Sequence, residues 1–412
     1  MTHSNPNRLH DRRSVLTGGL AAIGGLTVFG NRAAAAANFL SGPAQDGGEP
    51  MLVVIQLAGG NDGLSTIVPY VEDDYHAART TTRVHAKDVL KIDDYRGFNP
   101  LLSGLRSIWE RGELAIVEGV GYEHPNRSHF SSFDIWHAAS DRGTAGGYGW
   151  LARLGAKLQK GDAGDANLAV HVGDRLPYSL YMPEAPGVCF RDPGQYQWDR
   201  NGQNICEAVD GAGMGGADAS RMGRVRSTFL KARDSSAVIR DAVDGYKPRV
   251  EYPDNSLGSS LAIVAALANG GVGARILSVE LDGFDTHSGQ RARHDELLRT
   301  LDSGLTAFLE DLRGTPAGAR TTVLVFSEFG RRVAENASIG TDHGTAGPLF
   351  VAGPAVKGGL YGKHPSLQDL DDGDLKFTND FRGVYSTLIQ DWFHQDAEAL
   401  LGASYSTLPL FA

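Results

Sequence analysis

The sequence predicts an α/β fold with a mostly parallel central sheet and helices on both faces. Short apolar runs rich in β-branched residues recur along the chain, as expected of strands buried on both faces. Amphipathic segments of helical period lie between them, which favours a parallel sheet. Glycine accounts for 53 of the 412 residues, well above the usual ~7%, and suits many tight loops between strands and helices.

Five segments have the composition of strands buried on both faces. They are largely apolar and carry few charges. These predicted strands are Met51–Ala58, Leu114–Val120, Ile276–Leu281, Thr321–Phe326 and Pro348–Ala352.

Four longer segments have the 3.6-residue spacing of apolar residues that indicates helices. The segment 257–269 is apolar nearly all round, which predicts a buried helix, and the others are amphipathic. The predicted helices are Pro100–Arg111, Leu257–Asn269, Arg291–Arg313 and Phe381–Phe393.

The overall composition excludes several classes of protein. With 41% hydrophobic residues the chain can fill a core, and two cysteines exclude a disulfide scaffold or a cysteine-rich zinc module. The formal net charge of −10 argues against nucleic acid or an anionic membrane as the main partner.

The first 37 residues are predicted to be an export signal. Arg12 and Arg13 precede an apolar run over 15–30, and alanines over 33–37 follow. The paired arginines resemble a twin-arginine signal, which implies the twin-arginine export machinery as a partner and a periplasmic or extracellular location. An ordinary secretory signal or an uncleaved anchor are the alternatives. No transmembrane domain is expected in the mature chain.

Residues 38–412 are predicted to form one domain, with an insertion or cap at about 148–253. The stretch Glu207–Met222 in that region is rich in Gly, Ala and Asp and is predicted to be a loop. In an oxidising compartment Cys189 and Cys206 could pair there. Two unpaired thiols are the alternative.

Acidic and imidazole side chains follow the predicted strands. In open parallel sheets, ligand sites lie at the carboxyl ends of strands. Such groups repel or stay unsatisfied without a cation, so the pattern predicts one or two divalent ions such as Zn, Mn, Mg or Ca. The candidate ligands are Asp62, Asp285, His287, Glu328, Asp342 and His343, with Asn61 as a secondary ligand.

Each of these residues also has a structural interpretation. The run 59–63 is a typical turn sequence, Asp342 could cap a turn, and Glu328 could form a surface ion pair with a nearby arginine. Four loops with the same character together favour a functional site.

A second cluster lies at 123–130 (EHPNRSHF) and opens a predicted helix. Ser128 is a candidate nucleophile or anion contact at the helix N-terminus, or a helix cap. Arg127 offers a fork for phosphate or sulfate, and His129 would orient the ester. These three residues are the predicted catalytic group.

The chain resembles the bacterial domain-of-unknown-function 1501 family. Six motifs carry the resemblance in order: LAGGNDGLST, GVGYEHPNRSHFSSFDIWH, GFDTHSGQ, FSEFGRRVAEN, GTDHGTAGPLFVAGPAVKGGLYG and TNDFRGVY. A more distant resemblance to the alkaline phosphatase and sulfatase superfamily implies an alkaline-phosphatase-like fold. It also implies that Asp62, Glu328 and His343 stand at metal-ligand positions.

Two positions depart from that superfamily. Phe329 stands where a metal-binding His is usual, and Glu123 stands at the nucleophile position. Ser128 is the nearest substitute.

The function expected from this resemblance is that of an exported metal-dependent hydrolase of phosphate or sulfate esters. Its substrate would be a small anionic ester or a sulfated or phosphorylated glycan. A non-catalytic binding or assembly protein on a degenerate hydrolase fold is the alternative. A metal-free hydrolase using Ser128 and His129 gains little support, because no G-x-S-x-G sequence is present.

Overall fold

A computed structural model describes residues 48–140, 147–159, 167–182, 187–196 and 235–411. Its strands are β1 (Met51–Ala58), β2 (Ile67–Val68), β3 (Leu90–Lys91), β4 (Gly97–Phe98), β5 (Leu114–Gly121), β6 (Ala169–Val172), β7 (Val188–Phe190), β8 (Ile276–Asp282), β9 (Thr321–Phe326), β10 (Gly347–Ala352), β11 (Gly359–Tyr361), β12 (Leu370–Asp371), β13 (Asp374–Leu375) and β14 (Asn379–Asp380).

The helices lie mainly between these strands. They are α1 (Gly63–Thr66), α2 (Asp73–Ala78), α3 (Ser103–Glu110), α4 (His129–Ala138), α5 (Trp150–Leu158), α6 (Ser256–Asn269), α7 (Gln290–Leu312), α8 (Pro316–Ala319), α9 (Phe381–Thr387) and α10 (Ala397–Leu401). Residues 235–245 are also helical, Tyr178–Leu180 form a 3₁₀ turn and Leu388–Trp392 a π turn.

The central sheet has nine strands in the order β11-β5-β10-β9-β1-β8-β6-β7, with β14 also paired to β5. Its pairings are parallel except those of β10, which runs antiparallel to both β5 and β9. The predicted fold class, a mostly parallel sheet with helices around it, is confirmed.

Strand β1 is buried on both faces because alternate side chains enter two different cores. Val53 and Ile55 pack in a core with residues of α3, α6 and α7. Leu52 and Val54 pack in the opposite core with α4, α5 and α9. This explains why β1 reads as a continuous apolar run.

The direction of the strands decides where the polar loops meet. Strands β1, β5, β8 and β9 are parallel, so the loops that follow them lie at one edge of the sheet. Strand β10 runs the other way, so the residues that precede it lie at that same edge. Five separated segments of the chain therefore supply side chains to one place.

The ends of two predicted helices differ from those observed. Helix α3 begins at Ser103, where the Asp302 carboxylate of α7 accepts hydrogen bonds from the backbone N–H groups of Gly104 and Leu105 (3.0 and 2.7 Å). The cap comes from a residue about 200 positions away, which local sequence does not show. The predicted helix 381–393 is α-helical only to Thr387 and continues as the π turn.

The predicted insertion at 148–253 lies partly outside the described residues. Its described parts supply β6 and β7, which extend the central sheet beyond β8. The predicted loop 207–222, the export signal over 1–37 and Cys206 lie outside the described residues. None of the helices in the described residues is long and apolar enough to cross a membrane.

We predict that Phe308→Ala lowers the free energy of unfolding by about 3–5 kcal/mol, because it leaves a cavity under α7. Phe308 is fully buried. Arg299→Ala on the exposed side of the same helix is the matched control and should change stability by no more than about 0.5 kcal/mol. Urea denaturation measures both, and equal effects would contradict the packing described.

Candidate metal centre

The loops that follow β1, β5, β8 and β9 and the residues that precede β10 form one polar edge of the sheet. The Asp285 carboxylate, which follows β8, lies at its centre. Its Oδ1 lies 3.0 Å from Nε2 of His287 and 3.0 Å from Nε2 of His343. Nε2 of His129, the first residue of α4, lies 3.5 Å away. Three imidazoles from three separate segments thus direct the same ring nitrogen at one carboxylate oxygen.

The other nitrogen of each imidazole is anchored to an oxygen acceptor. Nδ1 of His129 lies 2.7 Å from Glu328 Oε1, and Nδ1 of His287 lies 3.1 Å from Asp342 Oδ1. Nδ1 of His343 lies 2.7 Å from the backbone oxygen of Arg127. A carbonyl or an ionised carboxylate can only accept, so each Nδ1 carries the proton and donates it.

These anchors leave three Nε2 lone pairs facing Asp285. Nε2 of His287 lies only 2.9 Å from Nε2 of His343, and Nε2 of His129 is buried without a hydrogen-bond partner among the described residues. Neutral rings in this arrangement repel one another and the carboxylate. A cation removes the conflict, either as protons on the rings or as a metal ion.

The donor set fits a metal ion. Ligand atoms bound at about 2.1 Å to one ion lie within about 4 Å of one another, and four of the six separations among these donor atoms are 3.5 Å or less. His129, Asp285 and His343 offer atoms that all lie within 4.8 Å of one another. Imidazoles whose second nitrogen donates to a carboxylate or carbonyl are the usual arrangement in metal sites.

The charges around the site shift the pKa values of Asp285 and His129 in opposite directions. Burial alone would raise the pKa of Asp285, but Arg331, which donates a hydrogen bond to this carboxylate, holds the pKa well below its usual range. The Glu328 carboxylate raises the pKa of His129, against the opposing effect of burial. A proton and a metal ion therefore compete for the same ring of His129.

Arg331 connects the loops that carry the site. Its buried guanidinium donates to Asp285 Oδ1 (2.7 Å) and to the backbone oxygens of Gly60, Phe284 and Thr341 (2.8, 3.0 and 2.8 Å). These oxygens belong to the loops after β1 and β8 and before β10. One side chain therefore fixes three loops and one candidate ligand together.

Of the predicted metal ligands, Asp285, His287 and His343 come together, while Glu328 and Asp342 lie behind imidazoles. Glu328 is fully buried and accepts hydrogen bonds from His129 and from the backbone N–H of Gly59 (2.9 Å). Asp342 anchors His287. In this geometry the two carboxylates orient imidazoles that are candidate ligands.

Asp62 is separate from this cluster. It is fully buried and forms an ion pair with the equally buried Arg79, and it also accepts from Ser65 (2.7 Å) and from Gln290. Burial would raise the pKa of Asp62, but Arg79 holds it well below its usual range. Its neighbour Asn61 accepts hydrogen bonds from Thr66 and His294 at 3.1 and 3.0 Å.

The three predicted catalytic residues have different surroundings. Ser128 is exposed at the start of α4 and its side chain makes no capping hydrogen bond. The Arg127 guanidinium pairs with Asp374, a buried carboxylate of β13. His129 is a candidate metal ligand. Among the described residues only His129 of the three therefore contacts the cluster through its side chain.

The two departures from the superfamily pattern also have clear positions. Phe329 is buried, and its ring packs against His129 and His343 with centroids 5.0 and 4.8 Å apart. Glu123 is exposed, and its nearest ionic contact is His124 at 3.8 Å.

Sequence reasoning missed the buried cations of this region. Arg79 and Arg331 gave no signal, because an arginine in a loop is usually exposed. Gln290 and His294 on α7 were also missed, although both occupy positions on the buried face of a helix. Polar residues on an otherwise apolar helical face were the signal that could have found them.

Comparisons with known proteins agree with the motifs. A family model described as a protein of unknown function (DUF1501) matches residues 224–379, which confirms that resemblance. No curated protein matches the chain.

Several solved structures are similar to the chain at low identity. One is the C-terminal periplasmic domain of EcEptC from Escherichia coli in complex with Zn, at 8% identity and a TM-score of 0.35, covering 75% of this chain and 74% of that one. Another is a protein in the alkaline phosphatase superfamily from Vibrio parahaemolyticus (9%, 0.32, 77% and 63%). A third is the sulfatase PsFucS1 from Pseudoalteromonas sp. (10%, 0.36, 90% and 73%).

We predict that Glu328→Gln lowers the pKa of His129 in the metal-free protein. The wild-type carboxylate stabilises the imidazolium, so His129 keeps its proton to higher pH; a neutral amide removes that effect. NMR titration of the histidine ring signals measures the midpoint. Glu335→Gln, which removes a carboxylate bonded to Thr80 and Thr82, is the control, and equal midpoints in wild type and Glu328→Gln would contradict the assignment.

Proposed function

We propose that this protein is an exported, metal-dependent hydrolase of phosphate or sulfate esters. The observation that carries the proposal is the set of three anchored imidazoles that face Asp285. Such a set needs a cation, and it lies at the edge of the sheet where this class of fold places its ligand sites. The resemblance of the motifs to alkaline phosphatases and sulfatases supplies the reaction class.

The donor set favours a transition metal over calcium or magnesium. Imidazole nitrogens suit Zn and related ions, whereas Ca and Mg prefer oxygen ligands alone. His129, Asp285, His287 and His343 would hold the ion. The centre is also partly open, because His287 and Asp285 are 43% and 49% exposed, so a substrate can approach it.

The reaction would consume one water for each ester cleaved. A bond forms from the water oxygen to phosphorus or sulfur, the bond to the ester oxygen breaks, and the leaving alcohol gains a proton. A bound ion would polarise the ester and lower the pKa of a water or hydroxyl. The Ser128 hydroxyl is exposed one residue before His129. As the nucleophile it would form the first bond to phosphorus or sulfur while the alcohol leaves with its proton, and water would then cleave the serine ester and restore the hydroxyl.

The substrate would be a small anionic ester or a sulfated or phosphorylated glycan. The protein would carry out this reaction outside the cytoplasm. Residues 1–37 would be the signal that directs it to the twin-arginine export machinery. Residues 38–412 would then be the working domain, with the region 148–253 as an insertion or cap.

A second candidate is a non-catalytic binding or assembly protein. The observation that favours it is the ion pair between Arg127 and Asp374, because an arginine already paired is a poor anion receptor. Glu123 at the nucleophile position also favours it. In that case the metal centre would stabilise the fold or bind a ligand without turnover.

We predict that His343→Ala weakens Zn²⁺ binding by roughly 10- to 100-fold or more, because it removes one ligand and frees the Arg127 carbonyl from its partner. Equilibrium dialysis with elemental analysis measures the affinity. His85→Ala, at an exposed histidine outside the cluster, is the control. Unchanged binding in the His343 variant would remove the metal centre from the proposal.

We predict that Ser128→Ala abolishes turnover of aryl phosphate or aryl sulfate esters while the metal content stays the same. The hydroxyl acts on the ester and is not a ligand in this proposal. Ser103→Ala, at the exposed start of α3, is the matched control and should keep full activity. Full activity in the Ser128 variant would exclude it as a nucleophile, and no turnover of any ester by wild type would favour the binding protein.

A further inference from the structure

Two of the carboxylates at this edge of the sheet, Asp285 and Asp62, have different counter-charges. Asp285 faces the Nε2 atoms of three imidazoles, and a cation would be bound between them. Asp62, which the motifs also placed at a metal-ligand position, already has a cationic partner in the guanidinium of Arg79. This difference determines how many metal ions the protein can hold.

The Arg79 guanidinium is built into its position. Both Arg79 and Asp62 have fully buried side chains, and Arg79 also donates to the backbone oxygens of Val333 and Arg332, each at 2.9 Å. Arginine does not lose its proton in proteins. A permanent positive charge therefore lies against Asp62 whatever the metal content of the solution.

The oxygen atoms near Asp62 are also mostly in use. Its Oδ2 accepts from Ser65, Gln290 and Arg79. Its Oδ1 is buried without a hydrogen-bond partner among the described residues, while the Asn61 side-chain oxygen accepts from Thr66 and His294. A metal ion here would find one free carboxylate oxygen and would lie beside a buried guanidinium, which repels it.

Two contacts also restrict the candidate metal centre itself. Arg331 donates to Asp285 Oδ1 at 2.7 Å, so a fixed cation already occupies one side of that carboxylate. The apolar ring of Phe329 packs against His129 and His343 where a further ligand would have to stand. One divalent ion with Arg331 balances the charges of Asp285, Glu328 and Asp342, and a second ion would leave an uncompensated double positive charge.

We infer that the protein binds one metal ion per chain, and that Arg79 takes the place of a second ion as the permanent counter-charge of Asp62. This inference rests on the proposed metal centre. It assigns different tasks to Asp285 and Asp62. Asp285 is a ligand of the metal ion, and Asp62 forms a buried structural ion pair with Arg79. The expected stoichiometry is one, at any excess of metal.

The experiment measures metal content per chain in the whole mature protein. The protein is stripped with chelator, titrated with Zn²⁺, freed of loosely bound ion and analysed for zinc and protein. A double variant, Asp62→Asn with Arg79→Gln, removes both charges of the buried pair together and avoids the unpaired charge that either single change leaves. Circular dichroism shows whether the double variant folds. If it does not fold, the number of zinc ions per wild-type chain is sufficient to test the inference.

We predict one zinc per chain in wild type and one in the double variant, with the loss of that ion in His343→Ala. Two ions per chain in wild type would overturn the inference while keeping the proposed metal centre. A ratio of one that falls to zero in the folded double variant would also overturn it, because Asp62 would then belong to the metal centre. No bound zinc in wild type would instead overturn the metal centre itself.

Discussion

The unsatisfied lone pairs of three imidazoles are the constraint on which this site depends. Each Nδ1 donates to a fixed acceptor, so rotation or a change of tautomer would cost a hydrogen bond. The three Nε2 atoms consequently face Asp285 Oδ1 at 3.0–3.5 Å, and those of His287 and His343 lie 2.9 Å apart. Only a positive charge makes that geometry stable, and the arrangement is therefore preorganised to bind a cation.

The fold supplies this geometry through strand direction and one buried arginine. Parallel strands bring the loops after β1, β8 and β9 to a common edge, and the antiparallel β10 brings His343 there as well. Arg331 then binds the backbone oxygens of these loops and orients Asp285. Buried guanidinium groups are costly to desolvate, but their many donors are satisfied here, which is the condition under which such groups are tolerated.

The contacts at this edge of the sheet can be compared with the residue roles that the sequence motifs imply. The motifs identified which segments form the site, and the structure brings most of these segments together. The roles of individual residues differ from those that the resemblance implies. Glu328 accepts a hydrogen bond from His129 and orients its ring, Asp62 is neutralised by Arg79, and Arg127 forms an ion pair with Asp374. A hydrolase with one metal ion and a binding protein with a metal centre both agree with these contacts, and they differ in whether Ser128 acts on an ester.

The sequence by itself determined the fold class, the main strands and the segments that carry the site, because strands buried on both faces leave continuous apolar runs and helices leave a 3.6-residue period. It also identified Asp285, His287 and His343 as candidate ligands from their places after or before strands. Only the tertiary structure decided that His129 joins them and that Arg79 and Arg331 are buried counter-charges. Those roles depend on contacts between residues about 17 to 270 positions apart, and such contacts leave no local pattern in the sequence.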